Sequence, residues 1–82
     1  PSALGVDETS FKRRHDYVTV VQDQGSGNVL HVADGRGRAA LDEYYKSLDD
    51  EQVGGIASVA MDMHQPYIQS TLHHVPEARQ KI

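Results

Sequence analysis

The sequence predicts a mixed α/β domain, with one sheet holding parallel and antiparallel neighbours and helices packed on it. Three observations predict this. "DYVTVVQD" and "VLHVA" are strand-like runs joined by the turn-rich "QGSGN", so two strands return on one another as a hairpin. "RAALDEYYKSL" carries Leu41, Tyr44, Tyr45 and Leu48 at a helical spacing of three and four. An apolar run, "IASVAMD", then precedes a second helical stripe and a final strand-like segment. A strand–helix–strand succession pairs its strands in parallel through a right-handed crossover.

The elements follow in chain order. The apolar run at residues 3–6 suits a buried strand, although Gly5 weakens it, and it stops at Asp7. "KRRH", residues 12–15, is a basic connection. Residues 16–23 make the strongest strand, because Tyr17, Val18, Thr19, Val20 and Val21 are β-branched or aromatic. The returning strand covers residues 29–33, and "DGRG" breaks the chain at 34–37. A helix follows over 38–48. Asp49 and Gln52 have capping-box spacing for a short helix that Gly54 and Gly55 stop. A buried strand is expected over 56–62. Ile68, Leu72 and Val75 then form the stripe of a helix with Pro66 in its first turn and Pro76 past its end. "ARQKI" opens a further strand, so the expected order is β-β-β-α-β-α-β.

Composition narrows the function classes. At 82 residues the chain is one domain, residues 1–82. Cysteine is absent, which removes disulfides, thiol catalysis and cysteine-ligated zinc. No apolar stretch approaches the ~20 residues of a membrane span, and there is no secretory signal pattern. These features are compatible with the cytoplasm. The net charge of −4 argues against DNA binding by this segment alone. Both ends, Pro1 and the apolar Ile82, look cut from a longer chain.

Asp7 and Asp62 hold equivalent places. Each follows a short apolar run, and they stand 62 − 7 = 55 residues apart. If the first and fourth strands are parallel neighbours, their ends lie about 4.8 Å apart, and two carboxylates face one cation. Mg²⁺ takes oxygen ligands, often one or two carboxylates with phosphate oxygens. The competing reading is local: Asp favours helix starts, and Asp62 precedes a helix. Glu8 points to the opposite side of its strand and adds little to such a site.

Further residues carry a resemblance. "GVDETSFKRRHDYVTVVQD", "GNVLHVADGR" and "VAMDMHQPYIQSTLHHVPEA" together resemble the start of the catalytic domain of bacterial insertion-sequence transposases of the ISL family. The likeness spans residues 4–82. It implies an incomplete RNase H-like fold: a mixed sheet whose first three strands are antiparallel and whose fourth is parallel to the first, with helices packed on the sheet. It implies a DDE triad in which Asp7 matches the first acid and Asp62 the second, holding Mg²⁺ or Mn²⁺ for cleavage and transfer of DNA strands. Family members commonly carry Trp where this chain has His64. The third acid, a Glu on a later helix, and a "D-x-F-H" segment match nothing before Ile82; neither Glu43 nor Glu77 fits. The resemblance thus implies the front part of a DDE domain, inactive alone, whose parent acts on DNA.

Two rivals stand beside it. One is a non-catalytic RNase H-like remnant, whose unpaired edge strand invites a homodimer. The other is a small α+β binding module whose Asp62 caps a helix. Other features have plainer expectations. The five histidines predict no imidazole-built metal site: His73 and His74 point apart on a helix, His31 belongs on the polar face of the sheet, and Mg²⁺ does not favour His64. His15 is a candidate for the DNA path. "KRRH" and "GRGR" are expected as solvated loops, Tyr44 and Tyr45 as packing residues.

Overall fold

A computed structural model describes residues 1–11 and 16–82, so the expectations for "KRRH" and His15 lie outside the described residues. The elements are β1 (Ala3–Phe11), β2 (Asp16–Asp23), β3 (Val29–Asp34), α1 (Arg38–Lys46), α2 (Asp50–Gly54), β4 (Ser58–Met61), α3 (Gln65–His74) and β5 (Arg79–Lys81). They form one five-stranded sheet in the order β3-β2-β1-β4-β5. β1-β2 and β2-β3 are antiparallel; β1-β4 and β4-β5 are parallel. This is the mixed sheet of a partial RNase H-like fold.

The helices cover one face of the sheet. Leu4 and Val6 of β1, Val21 of β2, and Val59 and Met61 of β4 pack against Leu41, Tyr44 and Tyr45 of α1, Tyr67 of α3, and Val75. Strand side chains alternate between faces, so Gly5, Asp7, Gln22 and Ala60 point to the other, uncovered side.

Three expectations need correction. β1 does not stop at Asp7. It continues to Phe11, because its polar half pairs with β2 rung by rung from Glu8↔Thr19 to Phe11↔Asp16. The stripe expected for α3 holds in part: Val75 is buried and Ile68 packs against the core, but Leu72 does not join them. Tyr67, Ser70 and Thr71 are the buried helical residues, and Leu72 is 57% exposed. The three hydroxyls have partners: Tyr67 with Thr19 at 2.7 Å, Ser70 with Asp42 at 2.5 Å, Thr71 with Tyr45 at 2.8 Å. A hydrogen-bonded hydroxyl loses little on burial, so polar side chains can hold the inner face. His31, finally, lies on the helix-covered face, 2.7 Å from Glu43 and with its ring 5.6 Å from that of Tyr44. Val32 is the exposed neighbour.

The capping box forms as its spacing predicts. The Asp49 carboxylate accepts from the Gln52 backbone N–H at 2.8 Å, and the Gln52 side chain accepts from the Asp49 N–H at 2.9 Å.

Candidate active site

Parallel pairing places the two acids. Ala3 opposes Ser58, and each rung keeps the same offset of 55 up to Val6 opposite Met61. Asp7 and Asp62 are the residues that follow this last rung. Both side chains are exposed, and both line a shallow cleft on the uncovered face with Gly5, Gln22, Gln24, Ala60 and Lys81. The row across β2, β1, β4 and β5 reads Gln22–Gly5–Ala60–Lys81. The floor next to the acids is therefore built from the two smallest residues of the row. A Cβ on Gly5 would sit 3.3 Å from Gln22 Cγ and 3.4 Å from Gln24 Cγ, so the glycine lets both glutamines lie across the cleft.

Asp62 does not cap the helix that follows it. The N-cap of α3 is His64, which makes no side-chain capping bond. The Asp62 carbonyl instead accepts the His64 N–H at 2.7 Å, which turns the chain. Asp7 Oδ1 accepts the N–H of Glu8 at 2.8 Å. Among the described residues neither carboxylate has a cationic partner within 4.0 Å. Two exposed carboxylates lining one cleft, without a cationic partner among the described residues, suit a hard cation that takes oxygen donors. Among the described residues no third metal-binding side chain joins them.

The residues around this rim were harder to anticipate. His64 occupies the place expected for Trp; it packs edge-on against Tyr67 with ring centroids 4.5 Å apart, and its Nε2 lies 2.5 Å from the Arg36 carbonyl. A carbonyl only accepts, so His64 donates from Nε2. Glu8 turns to the helix-covered face, where its Oε2 is 3.8 Å from an Arg36 nitrogen. Burial pushes the Tyr67 hydroxyl above its ordinary pKa, and the charges of Glu8 and Asp7 add to that against the opposing hydrogen bond with Thr19. Spacing gives no signal for these contacts, because they join residues from four separate elements.

A transposase family model matches residues 4–82, nearly the whole chain. The chain belongs to the ISL family of insertion-sequence transposases. It is 39% identical over 59 residues, 72% of its length, to the transposase for insertion sequence element IS1557 of Mycobacterium tuberculosis. It is 32% identical over 75 residues, 92% of its length, to the transposase for IS1001 of Bordetella parapertussis. It spans only 13% and 18% of those relatives. Within this family the chain supplies the β-β-β-α-α-β-α-β run that carries Asp7 and Asp62. No helix among the described residues is long and apolar enough to cross a membrane.

Proposed function

We propose that this chain is the front part of a DDE transposase catalytic domain, inactive alone, and that Asp7 and Asp62 are its first two metal-holding acids. The parent protein would cut and transfer DNA strands at the ends of an insertion sequence, in the cytoplasm. The observation that carries the proposal is the shared cleft: Asp7 and Asp62 each follow the last rung of the β1-β4 ladder and line the same open cleft, and Asp62 is not the cap of α3.

The two carboxylates would hold Mg²⁺ or Mn²⁺, and the bound ion would activate the attacking oxygen and stabilise the leaving one in phosphodiester chemistry. The protein's own part is positional. The β1-β4 ladder sets the spacing of the acids. The Asp62–His64 turn takes Asp62 off the helix axis, and the Gly5–Ala60 floor keeps the adjoining surface low enough for a strand of DNA to approach. The third acid implied by the family pattern matches no residue of this sequence, which is why the chain alone is inactive in this reading.

Mn²⁺ titration followed by amide NMR tests the site. Paramagnetic broadening should centre on Asp7 and Asp62 and should disappear in Asp62→Asn. Broadening scattered over the acidic surface, or persisting in that variant, would overturn the two-acid site.

A further inference from the structure

We propose that Arg36 is the side chain that takes a DNA backbone phosphate at the acid-bearing rim, and that Tyr17, Glu8 and His64 hold it ready. This rests on the reading of the rim as part of the transposase active site. β3 and β1 are both antiparallel to β2, so they run in the same direction. The segment after β3 therefore emerges at the end of the sheet where β1 and β4 present Glu8 and Asp62.

The backbone of that segment is tied on two sides. Gly35 adopts φ +85°, which glycine tolerates. Its N–H donates to the Tyr17 carbonyl at 2.6 Å, and its carbonyl accepts from the Thr19 hydroxyl at 2.8 Å. The single Thr19 proton is thereby committed, so Tyr67 is the donor in the 2.7 Å Tyr67–Thr19 bond. On the other side His64 holds the Arg36 carbonyl while its own N–H holds the Asp62 carbonyl. One histidine thus links the turn bearing Asp62 to the turn bearing Arg36.

The guanidinium is held but not saturated. Its central carbon lies 4.0 Å over the Tyr17 ring, a cation–π contact that holds the charge through the ring face and uses none of the N–H donors on an acceptor oxygen. The Arg36 side chain is 49% exposed, and the Glu8 carboxylate at 3.8 Å is beyond hydrogen-bond reach. Among the described residues Glu8 Oε2 is buried without a hydrogen-bond partner, so Glu8 attracts Arg36 without consuming its donors. A rim with Asp7, Glu8 and Asp62 repels a phosphodiester. Arg36 offers the forked donor set that binds phosphate oxygens, on the Glu8 side of the sheet and tied through His64 to the turn that carries Asp62.

The test is binding of a labelled DNA duplex to the full chain by fluorescence anisotropy over a salt series in EDTA. Each phosphate contact adds roughly one unit to the slope of log K against log salt. Arg36→Ala should weaken binding and lower that slope by about one. Arg36→Gln keeps most of the stem and should do the same; it decides the matter if Arg36→Ala misfolds by circular dichroism. Glu8→Gln should tighten binding, and the gain should vanish in Glu8→Gln/Arg36→Ala. No DNA binding by the wild-type chain, an unchanged slope in both Arg36 variants, or a Glu8→Gln gain that survives without Arg36 would overturn the proposal. The assay contains no free metal, so loss of the Mn²⁺ signature at Asp7 and Asp62 would sink the two-acid site without altering this result.

Discussion

At the scale of single residues, Asp42 shows how a charge can be kept at the edge of a small core. It sits on α1 facing α3, where its Oδ1 accepts from the Ser70 hydroxyl at 2.5 Å and lies 3.1 Å from His74 Nε2. Arg38, one turn earlier, is 3.4 Å from its other oxygen. Burial pulls the carboxyl upward. The Ser70 hydrogen bond and the charges of Arg38 and His74 more than offset that, so the group titrates below its ordinary 3.8. A folded-state pKa below the unfolded one gives stability that is present above the unfolded value and lost as pH falls through the folded one. Asp42→Asn should cost about 1–3 kcal/mol at neutral pH, the usual penalty for leaving buried hydrogen-bonding groups poorly matched. In urea unfolding, the gap from wild type should close as the pH drops below 3.8. A gap constant with pH would mean that the carboxylate's charge is not what matters. The facing pair Ser70 and Thr71 has no hydropathic signal, and this is why the sequence assigns Leu72 to the inner face of α3 in their place. Leu72 looks like a core residue and is not one.

At the scale of elements, local chemistry and long-range pairing contribute unequally. The capping box of α2 needs only residues three apart, and it forms as spacing predicts. Asp49→Ala should cost about 1 kcal/mol and should show first as faster amide exchange within Asp50–Gly54. Unchanged exchange there would mean that Gly54 and Gly55, rather than the cap, define the helix. β1 is the opposite case. Its second half, "ETSF", has no apolar run, and it is a strand because β2 supplies a partner at each position. β3 is a third kind of case. Leu30, His31 and Val32 alternate as a strand should, but the sense is inverted: His31 faces α1, where Glu43 and Tyr44 receive it. A register change by one residue exchanges the two faces of a strand. His31 pairs with Val21, which is buried on the helix-covered face, and the register shift follows that pair, between Val21 and Gln22.

At the scale of the whole molecule, stability is narrow. A domain of 82 residues holds roughly 4–12 kcal/mol at the usual 0.05–0.15 kcal/mol per residue. The fully buried Leu4 lies on the central strand β1, in the cluster that joins the sheet to both long helices. Leu4→Ala should cost about 2–5 kcal/mol, a large share of the total, and should lower the urea midpoint without changing the denaturant slope. A loss well under 1 kcal/mol would mean that the helices do not bear on the sheet as tightly as their packing indicates. The same compactness serves the rim. Asp7, Asp62 and Arg36 come from the middle of β1, the end of β4 and the turn after β3, and all three hang from the sheet that Leu4 helps to anchor.

From sequence alone came the hairpin, the first long helix, the capping box, the parallel return of the fourth strand and the membership in a transposase family. Each depends on neighbouring residues, on periodicity, or on a pattern of short motifs in order. The equal placement of Asp7 and Asp62 after apolar runs was visible as well, but helix cap and metal ligand remained open for Asp62. Tertiary structure bears on the cap alone, because His64 takes the cap position of α3; it also sets Asp7 and Asp62 in one cleft just past the last rung of the β1-β4 ladder. It alone revealed Arg36 between Tyr17 and Glu8, the inward turn of His31 and the hydroxyl-lined face of α3. The physical reason is the same throughout. Strand register and helix orientation are set by hydrogen bonds and packing between segments far apart in the chain, and no local pattern encodes which partner each side chain will meet.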